Sequence, residues 1–258
     1  MEYQTITLEI ADGLAVITMN RPDKMNAMTT QMRAELAHAV TESGKTERCV
    51  AITGTGRAFC TGQDLGDGAN ADEMDLERSL RDEFNPVIEA IVNCPVPTIA
   101  AVNGPAAGAG ANLALAADVV IAADSAYFLQ AFAMIGLIPD AGGTWFMPRQ
   151  MGMAKAMGAS LFADRISAKQ ASDWGMIYEH VADNAFEAHW RARAMKLASG
   201  PTQSYMRIKQ ALRASLDNSL SDQLALEAHL QGECGHTRDF REGVLAFLEK
   251  RKASFEGR

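Results

Sequence analysis

The stretch that decides the fold covers residues 97–122 and reads PTIAAVNGPAAGAGANLALAADVVIA. Its two ends, 97–102 and 119–122, are apolar runs typical of buried strands. Between them, the small residues of 108–117 are typical of a closely packed helix. Because a strand, a helix and a second strand follow one another, the stretch indicates α/β architecture with a crossover connection.

On the N-terminal side, alternating polarity together with turn and capping residues predicts four further elements. They are a hairpin of residues 6–10 and 14–18 about Asp12-Gly13, a helix from Thr29 or Thr30 to about Glu42, a strand at 50–53 and a helix from about Asp75 to Asn93. After about Gly200 the chain shows only helical patterns. We therefore predict a core at 1–199 and a C-terminal helical subdomain at 200–258, which is suited to subunit contacts.

Composition excludes several classes of protein. The 258 residues carry a formal net charge of -8, which argues against non-specific binding to nucleic acid. The four cysteines are scattered without a C-x-x-C pair, so reduced thiols in a cytosol are favoured over disulfides or a metal site. The N-terminus has no secretory signal pattern, and polar residues interrupt the most apolar stretch, 95–123. A cytoplasmic protein with no membrane partner is expected.

Two loops that follow strand ends could carry chemistry. They are RAFCTGQDL at 57–65 and NGPAAGAGAN at 103–112. Taken singly, the first is better explained as a turn with a self-bonding aspartate, and close helix packing explains the second equally well. The second loop lacks the spacing of a dinucleotide-binding or phosphate-binding motif. Together, two strand ends that each offer a backbone N–H form the usual two-donor oxyanion hole for an acyl group.

Five segments occur in the order found in the crotonase (enoyl-CoA hydratase/isomerase) superfamily, which the chain resembles over essentially its whole length. The segments are NRPDKMNA at 20–27, FCTGQDL at 59–65, AVNG at 101–104, GLIPDAGGT at 136–144 and REGVLAFL at 241–248. The resemblance implies an α/β spiral of ββα units with a C-terminal helical trimerisation subdomain. It also implies acyl-coenzyme A thioesters as substrates and a homotrimer or hexamer.

The resemblance further implies where a substrate binds. The oxyanion hole would be the backbone N–H groups of Gln63 and Ala109. Contacts to the substrate and its coenzyme A would come from Lys24, Met25, Ala27, Asp64, Leu65, Gly108, Asn112 and Phe132, the first five of them near the adenosine end. Coenzyme A enters as part of the substrate, so no separate cofactor and no metal are expected.

The residues at two further positions argue against the usual reaction of the family. The enoyl-CoA hydratases place water with two glutamates, at positions where this chain has Asn112 and Phe132. An amide cannot donate and recover a proton as a general acid and base, and a phenyl ring has no polar group. Addition of water by two carboxylates is therefore disfavoured, although a hydratase with displaced acids stays an alternative.

Asp140 is the carboxylate that the matched segments retain. Between Pro139 and Ala141-Gly142-Gly143 it could simply cap the following helix. It could equally be a catalytic base, since an apolar pocket formed by Phe132 and its neighbours would raise carboxylate basicity. One carboxylate without positioned water suits a proton shuttle beside a thioester carbonyl.

Segments 106–111, 131–132 and 136–145 look specifically like the phenylacetate-pathway isomerases of the superfamily, whose single catalytic aspartate matches Asp140. The resemblance implies conversion of ring-1,2-epoxyphenylacetyl-CoA to oxepin-CoA, a shift of 3-enoyl-CoA to 2-enoyl-CoA, or both. In 4-chlorobenzoyl-CoA dehalogenases the same aspartate is a nucleophile, but those enzymes carry Trp where this chain has Phe132. A member that binds acyl-CoA or RNA without catalysis is the remaining alternative, and the acidic charge gives RNA binding little support.

Overall fold

The computed structural model describes residues 2–64, 66 and 75–258. Within these ranges nine strands are formed. They are β1 (Ile6–Ala11), β2 (Leu14–Met19), β3 (Cys49–Gly54), β4 (Thr98–Val102), β5 (Ala106–Ala107), β6 (Val119–Ala123), β7 (Tyr127–Leu129), β8 (Ile166–Ser167) and β9 (Glu179–Val181).

The same ranges contain eleven α-helices. They are α1 (Thr30–Thr46), α2 (Leu76–Ser79), α3 (Asn85–Val92), α4 (Ala109–Leu115), α5 (Gly143–Met151), α6 (Met153–Phe162), α7 (Ala168–Asp173), α8 (Asp183–Ala198), α9 (Thr202–Ala214), α10 (Leu220–Gly235) and α11 (Arg238–Glu249). Short 3₁₀ turns lie at Pro22–Lys24 and Ala131–Ile135, and a π-helical turn at Leu80–Phe84.

The strands form two sheets. The larger has the order β1-β2-β3-β4-β6-β9, and the smaller has the order β5-β7-β8. In the larger sheet β1 and β2 are antiparallel, and every later pair is parallel. Helices α1 and α3 pack together beside β2, while α8 packs on β3 and β6. Because helices cover the parallel strands, β4 is buried at every position, as parallel sheets require.

The stretch that decides the fold forms the predicted crossover. Strand β4 leads through β5 into α4, and the chain returns as β6 parallel to β4, with Ile99 opposite Val119 and Val102 opposite Ala122. A short strand of the small sheet thus precedes the helix. This is the repeating ββα unit of the spiral, so the α/β prediction is confirmed.

The N-terminal hairpin is also as predicted. Strands β1 and β2 pair from Ile6 opposite Met19 to Ala11 opposite Leu14. The connecting residues Asp12 and Gly13 have φ values of 52° and 79°. Two successive left-handed residues form the type I′ turn that matches the twist of a hairpin.

The predicted helices differ from the observed ones in two respects. Helix α1 starts at Thr30, with Thr29 as its cap, but it continues to Thr46 rather than ending near Glu42. Gly44 is a weak helix former, but it lies within α1 and packs closely against Cys94. A Cβ at this position would lie only 2.9 Å from the Cys94 sulfur. The segment between Asp75 and Asn93 contains the π-helical turn, because Pro86 lacks the N–H that a continuous α-helix needs there.

The C-terminal residues form only helices, α9 to α11, as the sequence predicts. Long cationic side chains attach α9 to the core. Arg48 donates to Thr202 Oγ1 at 2.9 Å, and Lys209 lies 2.6 Å from Asp118 Oδ2. The division at residue 200 stays a prediction. Among the helices described, none combines the length and apolar character needed to cross a bilayer.

A buried amide joins the turn after β2 to the loop after β3. Asn26 is fully buried and adopts a left-handed conformation with φ of 54°. Its Oδ1 accepts the N–H of Arg21, and its Nδ2 donates to the carbonyls of Thr55 and Ala58. Asparagine suits this position because it tolerates positive φ and satisfies three backbone groups at once.

We expect Asn26→Ala to lower the free energy of unfolding by about 3 kcal/mol, because backbone groups of Arg21 and Thr55 lose their partner and Ala58 O keeps only the bond from Asn103 Nδ2 at 3.3 Å. Urea denaturation followed by circular dichroism measures this difference. Asn93→Ala, at an exposed asparagine, is the matched control and should change stability by no more than about 0.5 kcal/mol. A loss below about 1 kcal/mol for Asn26→Ala would contradict the role given to this amide.

Candidate active site

A short parallel backbone ladder joins the two loops that the sequence singled out. Both Phe59 and Cys60 donate their N–H groups to Pro105 O, at 3.1 and 3.2 Å, and Ala107 donates to Cys60 O at 2.9 Å. Gly110 then faces the Cys60 carbonyl so closely that a Cβ would overlap with it. Only glycine therefore permits α4 to begin directly beside the first loop.

The two N–H groups assigned to the oxyanion hole both lack an acceptor among the residues described. Met28 donates to Gly62 O at 2.7 Å and accepts from Asp64 N at 3.1 Å. In this parallel pairing the intervening residue, Gln63, directs its own N–H to the opposite side. Ala109 is the first residue of α4, where an N–H has no partner within the helix.

These two donors are close in space. A Cβ placed on Gly62 would lie 3.5 Å from the backbone nitrogen of Ala109. The structure therefore brings the Gly62-Gln63 peptide next to the start of α4. The arrangement can hold one oxygen atom between two N–H donors, which is the geometry that stabilises a developing enolate or tetrahedral oxyanion.

The residues predicted near the adenosine end lie around one ion pair. Arg21 Nη1 is 2.7 Å from Asp64 Oδ2 and donates to Ala27 O at 2.6 Å. A hydrogen bond from Gly66 N–H, followed by the bond from Arg21, lowers the pKa of Asp64. Lys24 is exposed and Met25 half-buried. Leu65 lies outside the described residues, and the sequence reasoning did not select Arg21.

Asp140 occupies the turn between the 3₁₀ segment and α5. Its carbonyl oxygen accepts from Gly143 N–H at 2.8 Å. The N-cap residue of α5 is Gly142, so no side-chain hydrogen bond caps this helix. The capping explanation for the Asp140 carboxyl is therefore wrong, because its backbone and not its side chain closes the turn. Within the described ranges, Asp140 Oδ1 is buried without a hydrogen-bond partner.

The surroundings of Asp140 raise its basicity. Burial raises the pKa of the carboxyl to about 6, and a hydrogen bond from its own backbone N–H offsets this only in part. An aspartate with such a pKa is ionised at neutral pH and takes up a proton readily. The apolar pocket of Phe132 and its neighbours stays a prediction, and one of those neighbours, Ile135, is exposed.

Asn112 connects Asp140 to the start of α4. The Asn112 side chain is fully buried, and its Nδ2 donates to the Asp140 carbonyl at 2.8 Å. Asn112 lies three residues after Ala109 on α4, and residues three apart share one face of a helix. The Asp140 turn is therefore held against the helix face that begins at Ala109. Contact between Asn112 and a substrate stays a prediction.

Phe132 and Gln130 complete the inner end of the site. Phe132 is buried, and a Cβ on Gly108 would lie 3.8 Å from its ring Cζ. Gln130, which is fully buried, donates from Nε2 to Asn112 Oδ1 at 2.9 Å. Sequence reasoning missed Gln130, because a single glutamine after the apolar run of β7 carries no distinguishing pattern. None of Asn112, Gln130 and Phe132 offers a carboxyl group.

Known proteins are similar to this chain over nearly its whole length. A family model described as Enoyl-CoA hydratase/isomerase matches residues 9–258. A Rhodobacter capsulatus protein named probable enoyl-CoA hydratase is 59% identical over 258 residues, covering 100% of both chains. The 1,2-epoxyphenylacetyl-CoA isomerase of Escherichia coli is 44% identical, again with 100% of each chain covered.

The solved structures agree with these sequence matches. The enoyl-CoA hydratase of Bacillus anthracis superposes with a TM-score of 0.92 at 31% identity, covering 99% of this chain and 100% of that one. The matched family model spans both oxyanion-hole loops, the Asp140 turn and the C-terminal helices. The protein thus belongs to the enoyl-CoA hydratase/isomerase family and has the crotonase fold.

Proposed function

We propose that this protein is an acyl-CoA isomerase in which Asp140 is the catalytic base. The observation that carries the proposal is the buried Asp140 carboxyl, whose Oδ1 is free of partners among the described residues. The Asp140 backbone is bonded to Asn112, which shares a face of α4 with Ala109, where a thioester oxygen would be held. One basic carboxylate beside an oxyanion hole is what a proton shuttle needs.

The proposed reaction moves one proton within the substrate. The Asp140 carboxylate takes a proton from the carbon next to the thioester carbonyl, and the C–H electron pair forms an enolate. The N–H groups of Gln63 and Ala109 stabilise the negative charge on the enolate oxygen. Asp140 then returns the proton to the far end of the double-bond system, so the product has the composition of the substrate. With the ring epoxide, the carbon–carbon bond shared by the epoxide and the six-membered ring also breaks, and its electron pair becomes part of the double bonds of the seven-membered ring.

Hydration is the second candidate, since the Rhodobacter capsulatus relative is named for it. Two carboxylates usually position the water, but this site has Asn112 and Phe132 at those places. The Asn112 amide is already bonded to Asp140 O and Gln130 Nε2. A bonded amide and a phenyl ring favour isomerisation over addition of water.

The name of the Escherichia coli relative supports ring-1,2-epoxyphenylacetyl-CoA as one substrate. Oxepin-CoA is the product that we propose for it. Phe132 beside Gly108 gives the acyl end an aromatic wall suited to a ring. The thioester would extend from this wall past Gln63 towards Asp64 and Lys24. Shifting a 3-enoyl-CoA to a 2-enoyl-CoA uses the same base and the same oxyanion hole.

A homotrimer or hexamer is the assembly we propose. Large apolar side chains are exposed on the last helices, where a partner subunit would cover them. The most exposed of them are Leu212, Leu220, Phe247 and Leu248.

We expect Asp140→Asn to lower isomerisation at least about 10³-fold, because an amide cannot accept the proton. Affinity for the acyl-CoA should stay within about threefold, since the oxyanion hole and the Asp64 region are unchanged. Absorbance assays and calorimetry measure the two quantities. Asp217→Asn, at an exposed aspartate of the C-terminal region, is the control. Near-normal turnover by Asp140→Asn would refute the assignment of the base.

Isomerisation should rise with pH through about 6, the pKa to which burial raises the Asp140 carboxyl. Below that pH the carboxyl is protonated and cannot take the α-proton, so kcat/KM should fall tenfold per pH unit on the acid side. The check is a pH profile of kcat/KM from 4.5 to 8 with the fold monitored by circular dichroism. An acid limb centred near pH 4 would mean that burial does not raise the pKa of the base.

Product analysis decides the reaction class. With ring-epoxidised phenylacetyl-CoA and a 3-enoyl-CoA side by side, we expect isomers of unchanged mass. Hydration of a 2-enoyl-CoA should be slower by at least about 100-fold, because no second carboxylate holds the water. Mass spectrometry in heavy-oxygen water distinguishes the two outcomes. If water adds faster than the substrate isomerises, the protein is a hydratase. Exchange of the α-proton without formation of product would point to an incomplete pocket.

A further inference from the structure

We infer that Gln130 and Asn112 are positioning residues, a buried amide pair that holds the Asp140 turn where its carboxylate can reach the substrate. The inference rests on the proposed function of Asp140. It concerns the same site and gives both side chains a role that acts through Asp140, beside the substrate contact predicted for Asn112. Both amides are fully buried, and their contacts run in one direction, from Gln130 to Asn112 to the Asp140 backbone.

The hydrogen-bonding chemistry determines the orientation of both amides. The Asp140 carbonyl can only accept, so the Asn112 atom 2.8 Å away has to be the donor Nδ2. Asn112 Oδ1 is then left facing Gln130, whose Nε2 donates to it at 2.9 Å. A reversed amide at either residue would set two oxygens against each other. The pair therefore requires a donor and an acceptor at 112 and a donor at 130, where Gln130 Oε1 has no partner among the described residues. A carboxylate at 112 would repel the Asp140 carbonyl.

The Asp140 turn needs such support because its backbone is strained. Ala141 has φ of 47°, a left-handed conformation that residues with a Cβ seldom adopt, and Gly142 follows with φ of 82°. Strained turns persist where surrounding contacts determine them. Two N–H groups, from Asn112 Nδ2 and from Gly143, converge on the single Asp140 carbonyl. At Gly143 a Cβ would overlap with the Asn112 amide, so the backbone packs directly on that side chain.

The Asp140 carboxyl itself has little else to orient it. Its Oδ1 makes no hydrogen bond within the described ranges. The hydrogen bond that stabilises the charged carboxyl comes from the backbone N–H of Asp140 itself. The direction of the side chain therefore follows the position of the backbone. Gln130 also directly precedes the 3₁₀ turn that carries Phe132. The amide pair thus links the wall of the acyl pocket to the base.

Loss of the pair should displace the base without removing the binding groups. A displacement of about 1 Å can cost about 100-fold in rate. We therefore expect Asn112→Ser to lower kcat at least about 30-fold, and Gln130→Met about fivefold, with KM within about threefold of wild type in both. Serine is too short to reach the Asp140 carbonyl, and methionine keeps the length of glutamine without its donor.

The test is steady-state isomerisation of a 3-enoyl-CoA by the full chain, with kcat, KM and the acid limb of the pH profile measured for each variant. Gln210→Met, at an exposed glutamine of α9, is the matched control. A loosened turn exposes the Asp140 carboxyl to water, so the midpoint of the acid limb should fall below that of wild type. A merely destabilising substitution would leave both kcat per folded molecule and that midpoint unchanged.

The outcomes separate this inference from the proposed function. If Asp140→Asn retains wild-type turnover, the proposed base is wrong. If Asp140→Asn is inactive while Asn112→Ser and Gln130→Met keep wild-type kcat and pH profile, only the positioning role is overturned. Should Asn112→Ser fail to fold, Gln130→Met decides alone, and a kcat within about 1.5-fold of wild type would overturn the inference.

Discussion

The constraint on which the site depends is the short backbone ladder between the loop after β3 and the chain at β5. Three hydrogen bonds join Phe59 and Cys60 to Pro105 and Ala107. Because the partners are main-chain atoms, the ladder brings the two proposed oxyanion donors together through backbone contacts alone. Gly110 permits the approach by leaving room for the Cys60 carbonyl. A carbonyl held between backbone N–H groups is pre-organised, so little rearrangement is needed as its charge develops.

Different local surroundings shift the pKa values of Asp64 and Asp140 in opposite directions. Asp64 is paired with Arg21 and bonded by Gly66 N–H, so its pKa is lowered and it stays ionised. Burial raises the pKa of Asp140 to about 6. In the proposed reaction the same functional group would thus be a fixed charge near one end of the site and a proton acceptor at the other.

The fold was largely predictable from local pattern. Strands in the order strand, small-residue helix, strand specify a parallel crossover, and Asp12-Gly13 specifies a hairpin turn, because both signals depend on neighbouring residues alone. The end of α1 was not predictable. Gly44 stays helical because it packs against Cys94, some fifty residues away in the chain. The π-helical turn before Pro86 was not predictable either, because it depends on how the folded chain accommodates the N–H that Pro86 lacks.

The sequence by itself determined the α/β class, the two loops with their backbone donors, and Asp140 as the retained carboxylate, since each depends on residue types at short spacing. Only the tertiary structure showed that the Asp140 side chain does not cap α5, because capping depends on where that side chain points. Likewise, only the structure identified Gln130, whose contact with Asn112 spans 18 residues of sequence. A buried hydrogen bond between distant segments leaves no periodic trace, because its partners are brought together by the packing of whole elements.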